Sequence, residues 1–157
     1  MKVKRSVALD TAKNLIEVLC PYLFQAKICG SIRRREPMVG DIDLVVIPTD
    51  LDKVKSVVET IDPDYTGKEK FLSFVTPYSG LKVQIYITTP ESWGATIFYA
   101  TGPAGKNIGY RTRAKKMGMK LNRWGLFDRS SNVMIAGRKE SDMFAALDKP
   151  YKVPRRR

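Results

Sequence analysis

Residues 41–48 read DIDLVVIP. Two carboxylates alternate with an isoleucine, an apolar and mostly β-branched run follows, and a proline closes it. Side chains on a strand point to opposite faces in turn, so Asp41 and Asp43 share one side, roughly 6.5 Å apart along the backbone. Ile42 and Leu44 take the other side. The run from Ile42 to Ile47 therefore reads as a largely buried strand ended by Pro48, with two carboxylates at its mouth. A strand of this kind needs a sheet around it and other elements to cover that sheet.

The rest of the chain supplies them. Ser6 is placed to cap a helix whose apolar residues Ala8, Ala12, Leu15, Ile16 and Leu19 recur at helical spacing until Pro21. A short strand over Ala26 to Cys29 follows. Leu51, Val54, Val58 and Ile61 mark one face of a second helix, ended by the turn Asp62-Pro63-Asp64. Phe71 to Thr76 and Leu81 to Thr88 read as strands. A short helix begins near Glu91 and is broken at Gly102-Pro103. Ala104 to Met117 is helical and closed by Gly118, with Tyr110, Ala114 and Met117 as its apolar stripe and its cations left outside. LNRWGLFD and NVMIAG read as two short strands, Ser141 caps a last helix running through Leu147, and PRRR is expected as a mobile basic tail. Strands and helices mixed in this order define an α+β fold. With 157 residues the chain can build one core or two small lobes.

Composition narrows the chemistry. There is no histidine, which excludes Ser/His/Asp and Cys/His nucleophilic mechanisms and the imidazole general base. Cys20 and Cys29, the only cysteines, sit among apolar residues and are expected as reduced core thiols, so a zinc cluster is excluded. Catalysis, where present, has to run on carboxylates, metals and fixed cations. No apolar run has the length of a membrane span and the N-terminus has no signal-like apolar segment, so a cytoplasmic or nucleoplasmic protein is expected. The net charge is +12, and it is uneven: residues 1–99 hold 13 Lys/Arg against 12 Asp/Glu, residues 100–157 hold 15 against 4. A part carrying +11 is the footprint of a surface that follows a phosphate backbone.

Ahead of the carboxylate strand stands GSIRRREPMVG, residues 30–40. Gly30 lets backbone N–H groups approach an anion, Ser31 adds a hydroxyl, and Arg33, Arg34 and Arg35 offer forked donors that match phosphate oxygens. Two carboxylates on a rigid strand suit hard divalent cations, which in phosphoryl-transfer sites are held by one or two carboxylates together with substrate phosphates.

Taken together, G-S-x-x-R followed by G-D-x-D-L resembles the nucleotidyltransferase signature of the DNA polymerase beta superfamily, and GSIRR with GDID is most similar to the family X DNA polymerases. IFYATG (97–102) resembles the family's YFTG element, and GMKLNRWGLF (118–127) resembles its G-x-x-L-N-x-x-G-L-F element near the template strand. The resemblance implies a nucleotidyltransferase palm over residues 1–100 and a small α+β thumb-like domain over residues 101–157 that binds nucleotide and template. It implies Asp41 and Asp43 as ligands of Mg²⁺, with Mn²⁺ also accepted. The nucleotide would be held by Gly30, Ser31, Arg34, Gly40, Tyr99, Ala100, Gly102 and Asn107. DNA would be held by Arg111, Lys120, Asn122, Arg123 and Trp124.

The implied activity is addition of deoxynucleotides to a DNA 3′ end by two-metal nucleotidyl transfer in repair or gap filling, by a monomer with a primer-template or gapped DNA as partner. There is no room for a lyase domain or helix-hairpin-helix fingers, as in the most compact viral members, and a viral or phage source fits. Two departures stand out. Ala100 replaces the usual Phe of the YFTG element. Gln84 occupies the position of the family's third carboxylate; an amide is neutral, ligates a hard cation poorly and accepts no proton near neutrality. Spacing supports neither Glu69 nor Glu91 as a substitute. The alternatives are a small-molecule or protein nucleotidyltransferase, which shares GS and DxD without needing the basic C-terminal part, and a non-catalytic module that binds nucleic acid and nucleotide.

Overall fold

The structure, a computed structural model, describes Met1 to Arg157. Ten strands and six helices follow in the order β1 (Val3–Lys4), α1 (Arg5–Leu19), β2 (Leu23–Ile28), α2 (Gly30–Arg33), β3 (Met38–Val39), β4 (Asp41–Pro48), α3 (Leu51–Ile61), β5 (Thr66–Gly67), β6 (Phe71–Val75), β7 (Lys82–Ile87), α4 (Trp93–Thr101), α5 (Ala104–Lys116), β8 (Met119–Asn122), β9 (Gly125–Asp128), β10 (Met134–Ala136) and α6 (Glu140–Ala146). The main sheet has the order β2-β4-β7-β6-β5, in which only the central pair, β4 and β7, is parallel. A second sheet, β10-β9-β8, is antiparallel.

The apolar run of β4 is continuous because both of its faces become covered. Ile42, Leu44 and Val46 join the buried residues of α1 and α3 in a core that includes Ala8, Ala12, Leu15, Val54 and Val58. Val45, on the face shared by Asp41 and Asp43, packs with Cys29, Ile97 and Ala100 beneath α4. Helix α4 is apolar all round, which marks a helix enclosed on all sides. Its Ile97 and Ala100 face the main sheet, while Ala95 and Phe98 enter a further core built from Ala114, Leu121, Leu126, Met143, Phe144 and Leu147. The first N–H groups of α4 are satisfied by backbone: Gly94 donates to the Arg138 carbonyl at 3.1 Å and Ala95 to that of Gly137 at 2.8 Å. A Cβ on Gly94 would stand 2.2 Å from Lys139, so only glycine allows this approach.

Several expectations are corrected. Ser6 and Ser141 lie inside their helices, whose N-cap positions are Lys4 and Lys139 and carry no side-chain cap. The cap that does form is Asp50, which accepts from the Lys53 N–H at 3.1 Å at the start of α3. LNRWGLFD is not one strand but a hairpin, β8 and β9 around the turn Arg123-Trp124, because Asn122 Oδ1 accepts from the Trp124 N–H at 2.8 Å and closes the chain on itself. Met117 is exposed, and the inner stripe of α5 is Asn107, Tyr110 and Ala114. Cys20 is exposed, whereas Cys29 is buried and its thiol is pushed up to about 12 by that burial.

The basic tail is not loose. Residues Pro154–Arg156 form a single helical turn that brings Arg157 back into the molecule, its side chain only 2% exposed. Its guanidinium donates to Glu140 Oε2 at 2.8 Å and lies against the rings of Phe144 and Tyr151. Arg33 donates to both oxygens of the same Glu140, at 2.7 and 2.9 Å. One carboxylate thus ties the C-terminus to the turn that follows β2. Burial would raise the pKa of Glu140, but the two guanidinia overcome it and bring it down to about 2.

Candidate active site

The register of the main sheet sets the site. Strand β2 ends at Ile28 and the chain turns at once into α2, with the Cys29 N–H donating to the Asp43 carbonyl at 2.8 Å. Gly30 has φ +60°, and a Cβ there would stand 2.0 Å from Asp43 Oδ2. The turn can therefore lie directly on the carboxylate only because residue 30 is glycine. On the neighbouring strand Gln84 stands opposite Asp43 in parallel register, so the two share a face. Tyr86, two residues on, continues that face.

These residues meet in a cavity of about 320 Å³ lined by 14 residues, among them Gly30, Ser31, Arg34, Asp41, Asp43, Gln84, Tyr99, Ala100, Gly102, Asn107 and Arg111. The structure thus brings together the Gly-Ser turn, the carboxylate pair, the IFYATG element and two α5 positions, Asn107, predicted to touch the nucleotide, and Arg111, predicted to touch DNA. Arg34 donates to the Thr101 carbonyl at 2.7 Å, which fixes its guanidinium at the rim. Asn107 Nδ2 donates to the Tyr99 carbonyl at 2.9 Å, joining α5 to α4.

Other predicted residues fall elsewhere. Gly40 is outside the cavity, with Met1 and Lys2 as its nearest neighbours. Of the three arginines only Arg34 reaches the cavity; Arg33 is turned away to Thr101 Oγ1 and Glu140. Lys120, Asn122, Arg123 and Trp124 sit on the β8–β9 hairpin, apart from the cavity. Arg123 is held by the protein itself: it donates to the carbonyls of Lys70 at 2.8 Å and Ile87 at 2.6 Å, and its guanidinium lies 4.2 Å from the Trp124 ring centroid and 5.5 Å from that of Tyr86. It clamps the hairpin to the ends of β6 and β7. Glu69 and Glu91 do not line the cavity, and Glu91 is exposed beside Arg138. Sequence reasoning missed Tyr86, although its two-residue spacing from Gln84 marks the same face. It also missed Glu140, for which no local pattern offers a signal.

The electrostatics fit a cation. Asp43 is pushed up to about 7, first by burial and then by the neighbouring charge of Asp41, with Arg34 offsetting part of it. No lysine or arginine forms an ion pair with either carboxylate. Ser31 Oγ is buried without a hydrogen-bond partner. Two carboxylates without an ion-pair partner, beside an unpartnered hydroxyl and a glycine turn, suit a divalent cation carried in with a phosphate. No group of three or more acidic, Cys or His residues is assembled anywhere in the molecule. The acidic donor set is therefore Asp41 and Asp43, with the Gln84 amide beside them.

Known structures share this fold. The chain superposes along its whole length on 77% of Leishmania infantum polymerase beta in a ternary P/T complex, with a TM-score of 0.85 at 21% identity. In a ternary gap complex of the same polymerase the TM-score is 0.86 at 20% identity, covering 71% of that chain. The fold is that of polymerase beta. Residues 96–157 match the family described as DNA polymerase beta thumb. The Repair DNA polymerase X of African swine fever virus is 26% identical in a Kenyan pig isolate and 28% identical in the Badajoz strain, over 99% of this chain and 92% of each relative. Over nearly its whole length the chain is thus similar to family X repair polymerases.

Proposed function

We propose that this chain is a compact repair DNA polymerase that extends a DNA 3′ end from a deoxynucleoside triphosphate, releasing pyrophosphate. One observation carries the reading: Gly30, Ser31 and Arg34 of α2 and the turn after it, Asp41 and Asp43 of β4, and Asn107 and Arg111 of α5 line a single cavity. The backbone of Gly30 and Ser31 and the guanidinium of Arg34 hold the triphosphate, the amide of Asn107 approaches the base side of the nucleotide, and the guanidinium of Arg111 approaches the templating base. Asp41 and Asp43 hold Mg²⁺ or Mn²⁺, which when bound offsets the charge that develops on the transferring phosphoryl group. Residues 1–100 act as palm and residues 101–157 as a thumb-like lobe, whose +11 charge grips DNA.

Gln84 weakens the reaction. In a site of this geometry the group opposite Asp43 is well placed to accept the proton of the attacking 3′-hydroxyl, and an amide does not take it. A positioned proton acceptor typically contributes about 10²- to 10⁴-fold. The same observation favours a second reading, a module that binds DNA and nucleotide without turnover. Primer extension in Mg²⁺ and in Mn²⁺, comparing the chain with Gln84→Asp, separates them. Slow extension that Asp accelerates supports the polymerase; tight DNA binding with no extension by either form supports the module. A preference for a non-nucleic acceptor over a primer supports the small-molecule alternative.

A further inference from the structure

Strand β2 forms one edge of the main sheet and is bonded on one side only, to β4. The Cys29 N–H donates inward to the Asp43 carbonyl, and the backbone groups of successive residues on an antiparallel strand point to opposite sides. Lys27 therefore also turns its N–H and C=O toward β4, whereas Ala26 and Ile28 turn theirs outward, where no strand lies. An edge of this kind is a template for one more strand. Lys27 stands opposite Val45, so its exposed side chain is on the face of the sheet that α4 covers. Phe24, at the register shift of the same strand, is 69% exposed and leaves an apolar contact open beside the edge.

Against this edge lies a hollow of about 380 Å³, between the N-terminal end of α4 and the start of α6. Trp93, Ile97 and Tyr151 are its apolar lining, and Lys27, Arg33, Arg138 and Lys139 its cations. Glu140 is the one carboxylate in the lining, and Arg33 and Arg157 already occupy it. Arg138 reaches Glu91 only at 3.7 Å, with both side chains more than half exposed, and Lys27 and Lys139 form no ion pair. The hollow is thus electropositive and partly aromatic. Tyr99 and Ala100, at the other end of α4, line the nucleotide cavity. From Trp93 to Tyr99 a helix rises about 9 Å, so the two cavities sit at opposite ends of one helix.

We propose that β2 and this hollow form a docking surface for an extended acidic segment of a partner protein, which adds one strand to the main sheet. A peptide backbone offers both donors and acceptors to the outward groups of Ala26 and Ile28, whereas a phosphate backbone offers acceptors alone. Side chains of the added strand return to the Lys27 face at every second residue. Acidic ones meet Lys27, Arg138 and Lys139 there, and an aromatic one enters the hollow beside Trp93 and Tyr151. The net charge of +12 draws an acidic segment to this face and opposes a second copy of the chain as occupant. A partner held in this way leaves the nucleotide cavity free.

The test pans a displayed library of random peptides of about ten residues, enough for one strand, on the full chain, and discards those that Lys27→Glu/Lys139→Glu also retains. The expected survivors carry acidic residues at every second position with an aromatic one among them. A synthetic copy of the strongest, followed by fluorescence anisotropy, should bind about tenfold or more weakly to Lys27→Glu/Lys139→Glu, because like charges then face each other. Ala26→Pro removes an outward N–H and leaves the bonds to β4 in place, so it too should weaken binding by about tenfold. A thermal melt checks that each variant is folded. In the unaltered chain, hydrogen exchange at the Ala26 and Ile28 amides should slow when the peptide is bound, and a saturating primer-template should leave the peptide affinity unchanged. A library that yields no peptide dependent on Lys27 and Lys139 overturns the proposal. So does a peptide whose affinity survives Ala26→Pro or whose binding leaves exchange at both amides unchanged, since it rests on charge alone. Displacement of the peptide by the primer-template also overturns it and assigns this face to nucleic acid.

Discussion

Glu140→Gln tests the ion-pair cluster that binds the C-terminus to the phosphate turn. Glu140 accepts from Arg33 and Arg157, and the side chains of the three residues are 10%, 15% and 2% exposed. The substitution keeps the shape of the side chain but leaves two half-buried or buried guanidinia without an anion. Removing one partner of a buried pair typically costs about 3–5 kcal/mol. The titration of Glu140 gives an independent figure. Its carboxyl falls from 4.5 to about 2 on folding, which at 1.36 kcal/mol per pH unit is a contribution of about 3 kcal/mol. In a protein of this size that is a drop of about 6–12 °C in Tm.

The sign follows from linkage. The folded pKa is depressed, so the contribution is complete well above pH 4.5 and is lost as pH falls through 2. The difference between the two proteins should therefore shrink from about 3 kcal/mol at pH 7 to about 1.4 kcal/mol at pH 3. Urea denaturation at both pH values, read by circular dichroism, measures it. A difference under about 0.5 kcal/mol at pH 7, or one that does not change with pH, would refute the bridging role of Glu140 and restore the picture of a free tail.

Four further outcomes are expected. Gln84→Asp should raise the rate of primer extension by about 10²- to 10⁴-fold, measured in single-turnover assays with Mg²⁺; no change would remove Gln84 from the chemistry. Because Asp43 is raised to about 7, it must lose a proton to bind a cation. Calorimetric affinity for Mn²⁺ should then rise about tenfold per pH unit below 7 and level off above it, and a pH-independent affinity contradicts this. Gly30→Ala places a methyl against Asp43 Oδ2 at a φ of +60°, so Mn²⁺ binding should be lost while most of the fold survives, as read by calorimetry and circular dichroism. Arg123→Ala should lower stability by about 1–3 kcal/mol through two orphaned carbonyls and a lost ring contact, while the salt dependence of DNA binding stays unchanged; a slope reduced by about one unit would place Arg123 on the DNA surface.

The placement of the two carboxylates and the Gly-Ser turn was legible because it is local. Asp41 and Asp43 had to share a face by the two-residue period of a strand, and the Gly-Ser turn had to precede them on the same segment. The helical faces of α1 and α3 were readable for the same reason: residues a few positions apart decide them. The caps at Ser6 and Ser141 were misplaced because the neighbouring chain, not the serine, fixes where those helices begin.

What joins distant segments was not legible. The sequence alone determined a carboxylate strand after a phosphate turn, an α+β order of elements and a basic C-terminal part. Only the tertiary structure decided that Arg33 turns away from the cavity to meet Glu140, that Arg157 is enclosed, that Arg123 clamps a hairpin and that a second cavity lies at the other end of α4 from the first. The physical reason is range: periodicity and turn chemistry act over a few residues, whereas a charge chooses its partner by proximity in space. Arg33 and Glu140 are separated by 107 residues along the chain and by 2.7 Å in the fold.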